Sequence, residues 1–119
     1  PSRDFNFVSD TVSAFLKCAL LDDANLGREF NVGSGRMVTI GEVVDILQRT
    51  TNIKKLVVQD EDLMRPPESE VMALMADAGR LTKTSGWQSQ VTLEDGLAKT
   101  VEWWRDYLPN MLRASGSNV

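Results

Sequence analysis

Early in the chain the spacing of apolar residues changes from a period of two to a period near 3.6. Phe5-Asn6-Phe7-Val8 alternates apolar and polar side chains, the pattern of a half-buried strand. Ser9-Asp10 then offers an N-cap, and Val12, Phe15, Leu16, Ala19 and Leu20 share one helical face. The pattern predicts an amphipathic helix with that stripe buried, closed by the polar run Asp22-Asp23-Ala24-Asn25.

Glu29-Phe30-Asn31-Val32 reads as a short strand ending in the turn Gly33-Ser34-Gly35. Thr39 and Glu42 form a Thr-x-x-Glu capping box at the head of a second helix, with Ile40, Val43, Val44 and Leu47 as its buried stripe. Lys54-Lys55-Leu56-Val57-Val58-Gln59 is a further expected strand. Pro66-Pro67 makes residues 60–70 a loop. Val71 to Ala76 fits strand or helix equally. Asp77 is expected to cap a short helix that stops at Gly86, and Thr92-Leu93-Glu94-Asp95 opens a last helix with an acidic first turn. Leu97, Val101, Trp104 and Leu108 continue its apolar side, Pro109 is expected to close it, and residues 110–119 form a flexible tail after a domain spanning 1–109.

Strands alternating with helices indicate an α/β layered fold with parallel pairing. The strands are few and short, so the β-α-β-α unit looks small and incomplete, with sheet edges and a helix face left for a partner to cover. The chain also opens almost inside a structural element, as a fragment would.

Composition narrows the function classes. The chain has 119 residues and a formal net charge of −4, which argues against general affinity for nucleic acid or an anionic membrane. No apolar run approaches the roughly 20 residues of a membrane helix. Histidine is absent, removing the commonest general acid–base, and the single cysteine, Cys18, allows no internal disulfide or zinc cluster. These features suit a cytoplasmic protein.

Candidate chemistry is sparse. Arg65 precedes Pro66-Pro67, which holds it extended, and Arg3 begins a strand; two guanidinium forks converging on one point would suit a diphosphate. Taken singly, both are more commonly surface arginines. Glu68 and Glu70 could accept bonds from ribose hydroxyls, with a solvated acidic loop as the commoner case. Asp60-Glu61-Asp62 lacks the pattern of a calcium loop and is not read as a metal site. Gly33-Ser34-Gly35 is a turn and not a dinucleotide cradle, because a G-x-G-x-x-G run would need glycine where Val38 stands.

The order of these weak signals is more specific than any one of them. Arg3-Asp4-Phe5-Asn6-Phe7-Val8-Ser9-Asp10 resembles the R-D-(F/Y/W)-x-(Y/H)-V-x-D segment of extended short-chain dehydrogenase/reductases. Phe30-Asn31-Val32-Gly33-Ser34-Gly35 resembles their (F/Y)-N-(V/I/L)-G-x-G strand and turn. Arg65-Pro66-Pro67-Glu68-Ser69-Glu70-Val71, the Ala76-Asp77 step, Gly86-Trp87 and Thr92-Leu93-Glu94-Asp95-Gly96-Leu97 follow in family order, so the likeness runs from Arg3 to about Trp104. It departs at Gly79-Arg80-Leu81, where the family usually has Ser-Lys-Ala, and at Phe7, where the usual Tyr or His is kept only as Phe.

The chain thus resembles the C-terminal, substrate-binding part of an NAD-dependent nucleotide-sugar epimerase/dehydratase, a Rossmann-type enzyme. Within that family it looks most like nucleotide-sugar 4,6-dehydratases acting on UDP-N-acetylhexosamines, with GDP-mannose dehydratases as more distant relatives. The resemblance implies that Arg3 and Arg65 bind the diphosphate of a nucleotide-diphosphate sugar, that Glu70 holds the ribose, and that Phe5 walls the nucleotide pocket. It implies NAD for the complete enzyme but no cofactor, metal or catalytic residue in this chain. The glycine-rich loop and Tyr-x-x-x-Lys pair belong to the N-terminal Rossmann portion, and four residues after Tyr107 stands Met111. Two alternatives stay open: the same part of a 4-epimerase, and a free-standing non-catalytic binding or interaction module. The incomplete sheet further predicts a homo-oligomer, such as a dimer.

Overall fold

A computed structural model describes residues 1–58 and 71–114. Among them a three-stranded sheet has β1, Ser2–Asp4, at its centre. On one side β2, Met37–Thr39, runs antiparallel, with Arg3 opposite Val38. On the other β3, Ala73–Leu74, runs parallel, with Arg3 opposite Leu74. The layered α/β class is as expected, but parallel pairing holds for β1 and β3 only. The cause lies in the turn at residues 33–36, which is bonded to Asp4 at the C-terminal end of β1. Chain leaving that turn can only run back along β1.

Three expected strands do not form as predicted among the described residues; at the first, Phe5–Phe7 is irregular chain after β1 and Val8 already opens a helix. Glu29–Val32 makes no ladder with the sheet. Phe30 and Val32 are instead half-buried against the core. Residues 54–58 are exposed and form no strand, with Leu56 89 % exposed and the Lys55 carbonyl accepting from Gln48 Nε2; Gln59 lies outside the described residues.

Helix α1, Val8–Ala19, is where the sequence expected it, but its faces are reversed. The inward face carries Asp10, Ala14 and half-buried Cys18, one turn apart. Ala14 packs against Leu81 and Trp87, which are 0 % and 3 % exposed. The small side chain at 14 lets the indole approach the helix closely. Trp87 Nε1 donates to Ser13 Oγ at 2.8 Å and to the Asp10 carbonyl at 3.2 Å, so the ring is buried with its polar atom satisfied. The apolar stripe faces out: Phe15 is 72 % and Leu20 84 % exposed, with Val12 and Leu16 beside them.

Helix α2, Ile40–Thr51, begins with the expected capping box: Thr39 Oγ1 accepts from Glu42 N and Glu42 Oε2 accepts from Thr39 N. It ends at Asn52, whose φ of 55° is the left-handed cap. Its inward residue is Ile46; Val43, Val44 and Leu47 are half-buried, and Ile40, expected in the stripe, is exposed because it sits where the chain leaves β2.

Helix α3, Gly79–Ser85, stops at Gly86, with φ of 70°, as expected, but its cap residue is Ala78 and not Asp77, whose Oδ1 accepts from Gly79 N. Helix α4, Leu93–Ala114, is capped by Thr92 Oγ1, which accepts from Asp95 N, and packs against α2. Contrary to expectation, Pro109 lies inside it. Proline deletes one ladder bond, but the turns beside it hold: Asn110 Nδ2 donates to the Asp106 carbonyl, and Trp103 stacks on Tyr107 at 4.5 Å. Residues 115–119 lie outside the described residues.

Leu81 is the most enclosed side chain of this core. Leu81→Ala should lower unfolding free energy by about 2–5 kcal/mol, read as a fall in urea midpoint at constant slope.

Candidate functional site

Between the turn after residue 32 and the entry to α4 lies a cleft of about 220 Å³, lined by Phe5, Ser34, Arg36, Gln90, Val91 and Leu93 among others. Phe5 follows β1 directly and is 37 % exposed. Each wall of the cleft is held by an aspartate from the segment around Phe5.

The first is Asp4. Its Oδ1 accepts from Ser34 N at 2.9 Å and Ser34 Oγ at 2.6 Å, and its Oδ2 accepts from Gly35 N at 3.1 Å. The turn comes this close because residue 33 is glycine. A Cβ there would lie 2.6 Å from both Asp4 Oδ2 and Ala76 Cβ. The backbone amides that a dinucleotide loop would offer to phosphate are therefore used by the chain's own carboxylate. These residues do not fit the pyrophosphate of NAD.

The second is Asp10, only 3 % exposed. Its Oδ2 accepts from Ser89 Oγ at 2.7 Å and from the amides of Gln90 and Val91, both at 3.0 Å. The sequence marked Asp10 as an N-cap, but α1 starts one turn earlier, with Phe7 as its cap residue. Asp10 therefore sits inside the first turn and bonds across to residues 89–91. Burial alone would raise its pKa. Hydrogen bonds from Val91, Ser89 and Gln90, with the nearby Lys99 charge, outweigh that and leave it below the ordinary aspartate range.

Across the mouth, Arg36 Nη1 bonds both carboxylate oxygens of Glu94 at 3.2 Å. The Glu94 backbone amide, then Arg36, holds that carboxyl below its usual range. Both partners are about half exposed, so water screens the pair and its contribution to stability is small.

Of the residues singled out from sequence, Arg3 lies in β1 with Nη1 donating to the carbonyls of Ser2 at 2.9 Å and Val71 at 2.6 Å. Phe5 is in the cleft. Arg65 and Glu70, like Glu68 and Asp60-Glu61-Asp62, lie outside the described residues. Asp4, Asp10 and the Arg36–Glu94 pair were missed. Asp10 carried two signals: it closes the R-D-(F/Y/W)-x-(Y/H)-V-x-D run, and it stands in line with the small residues Ala14 and Cys18 at four-residue spacing. Among the described residues no helix is long and apolar enough to cross a membrane.

A βα unit of this kind, with its cleft beside the central strand, is the architecture of extended short-chain dehydrogenase/reductases, and the comparisons place the chain among them. The family model described as GDP-mannose 4,6 dehydratase matches residues 1–100, and the chain belongs to that family. It is 32 % identical over 103 residues to the GDP-6-deoxy-D-mannose reductase of Pseudomonas aeruginosa, covering 87 % of this chain and 33 % of that protein. It is 34 % identical over 106 residues to the UDP-glucose 4-epimerase of Mycolicibacterium smegmatis, covering 88 % and 32 %. The structure of RMD from Pseudomonas aeruginosa complexed with NADPH superposes with a TM-score of 0.78 at 28 % identity, over 89 % of this chain and 33 % of that one. The Bordetella bronchiseptica enzyme WbmF, in complex with NAD+ and UDP, shares the fold with a TM-score of 0.73 at 22 % identity, over 95 % and 32 %. The chain thus spans about a third of the length of the curated relatives it matches.

Asp10 gives the fold an acid limit. Its pKa is depressed on folding, so its contribution is complete above the unfolded value of about 3.9 and is lost as pH falls through the lower folded one. Asp10→Asn should cost about 1–3 kcal/mol at pH 7 and flatten the acid limb of a stability–pH profile measured by urea unfolding.

Proposed function

We propose that this chain is the nucleotide-diphosphate-sugar-binding, C-terminal part of an NAD-dependent 4,6-dehydratase, not catalytic alone. The family match over residues 1–100 carries the reading, and its range includes positions 3, 5, 65 and 70. In this reading Arg3 and Arg65 hold the diphosphate, Glu70 the ribose, and Phe5 walls the pocket. The bond from Arg3 to the Val71 carbonyl supports it, since it ties β1 to the residue next to Glu70. The chain's part in the reaction is to fix the nucleotide so that the sugar is presented to chemistry carried by the rest of the enzyme, which would hold NAD.

A 4-epimerase is the second reading, favoured by the 34 % identity to the epimerase of M. smegmatis. Both use the same nucleotide grip, and they part only at groups this chain does not carry.

The surface of α1 supports a role as part of a larger enzyme. A helix that packs on one side and is apolar on the other is suited to burial between two layers. Val12, Phe15, Leu16 and Leu20 are the side that the N-terminal Rossmann portion would cover. Without it, the stripe favours self-association.

Titration of the chain with UDP, GDP and dTDP, followed by NMR, should shift Arg3, Phe5, Arg65 and Glu70, and Arg65→Ala should weaken the response about tenfold by removing charge-assisted bonds. No shift with any of the three would count against the reading. Light scattering at high concentration should show association that Phe15→Glu reverses; a monomer throughout would contradict it.

A further inference from the structure

The two aspartates that bound the cleft share an arrangement. They lie six residues apart on either side of the Phe5–Phe7 segment, yet their bonds reach 30 and about 80 residues along the chain. Each binds loop backbone directly: Asp4 the amides of Ser34 and Gly35, Asp10 those of Gln90 and Val91. Ser34, Gln90 and Val91 are also walls of the cleft. A loop free of such bonds samples many backbone states, and a site made from it must be ordered by its ligand. Here the ordering is done beforehand, and the Arg36–Glu94 pair joins the two rims. The near-contact at Gly33 leaves the Asp4 side no slack.

We propose that Asp4 and Asp10 are positioning residues for the nucleotide site, each holding one wall of the Phe5 cleft so that Phe5 is set before the ligand arrives. This rests on the reading of the chain as a nucleotide-sugar-binding part. Neither aspartate touches the nucleotide; each acts through the loop it holds. Loosening one wall lets Phe5 change its neighbours, and part of the binding energy is then spent on restoring the cleft.

The 119-residue chain and its Asp4→Asn and Asp10→Asn variants are titrated with GDP and with UDP, at a temperature where circular dichroism shows all three folded. The proximity of the Phe5 ring to Val91 and Leu93, which line the same cleft, is followed by NOE in the same samples. The expected result is a Kd raised about fivefold or more in each variant, together with weakened Phe5 contacts. Arg65→Ala, which removes a direct phosphate ligand, should raise Kd while leaving the Phe5 contacts intact. Folded aspartate variants that bind like the parent chain, or keep every Phe5 contact, would overturn the positioning role while the nucleotide reading stands. A parent chain that binds neither nucleotide would overturn both. Should Asp10→Asn not fold, Ser89→Ala removes one of its three bonds, and unchanged binding and Phe5 contacts there overturn the role of Asp10 equally.

Discussion

The structure depends on one buried carboxylate. Asp10 stands in the first turn of α1, at the place where helix, core and last loop meet. Its side chain takes three hydrogen bonds from residues 89–91, and its own carbonyl takes one from the Trp87 indole. The charge is tolerated inside because each of those donors points at it; an ionised group buried without them would be costly. Trp87 can approach only because Ala14 is small, and Leu81 fills the space they leave. The core is therefore organised around a polar centre with apolar groups fitted to it.

That arrangement explains what could be read from the sequence and what could not. Local signals were legible: the Thr39–Glu42 box, the Gly86 stop and the Thr92 start are short-range chemistry, and each appears where its residues predict. The direction in which α1 faces was not legible. Periodicity finds the apolar side of a helix, but it cannot say which layer that side meets. The side buried within this chain is the one with an acid and two small residues. Expected strands failed for a related reason, since Glu29–Val32 has the pattern of a strand but is packed against the core instead of joining the sheet. Pro109 misled because a proline can be carried within a long helix when neighbouring side chains hold the turns beside it.

The candidate site was legible in part. Arg3 and Phe5 stood out through ordered motifs; the structure puts Arg3 in the central strand, outside the cleft lining, and Phe5 in the cleft. Asp4 was visible as a motif letter without a role. Its function depends on a turn thirty residues away, a contact that no local window contains. The same contact shows why a Gly-x-Gly turn here differs in chemistry from one that cradles a cofactor: its amides are already occupied.

Gly33 carries a consequence for how this fold tolerates change. The spacing between the turn and the segment after β3 is set there by van der Waals contact on both sides of a bare Cα. Adding a single methyl group would press on Ala76 in one direction and on Asp4 in the other. Ala76 follows one edge strand, and Asp4 ends the central one. A displacement at this point would therefore reach two strands of the sheet at once, so position 33 works as a gauge for the thickness of the whole unit, although it contributes no side chain to it.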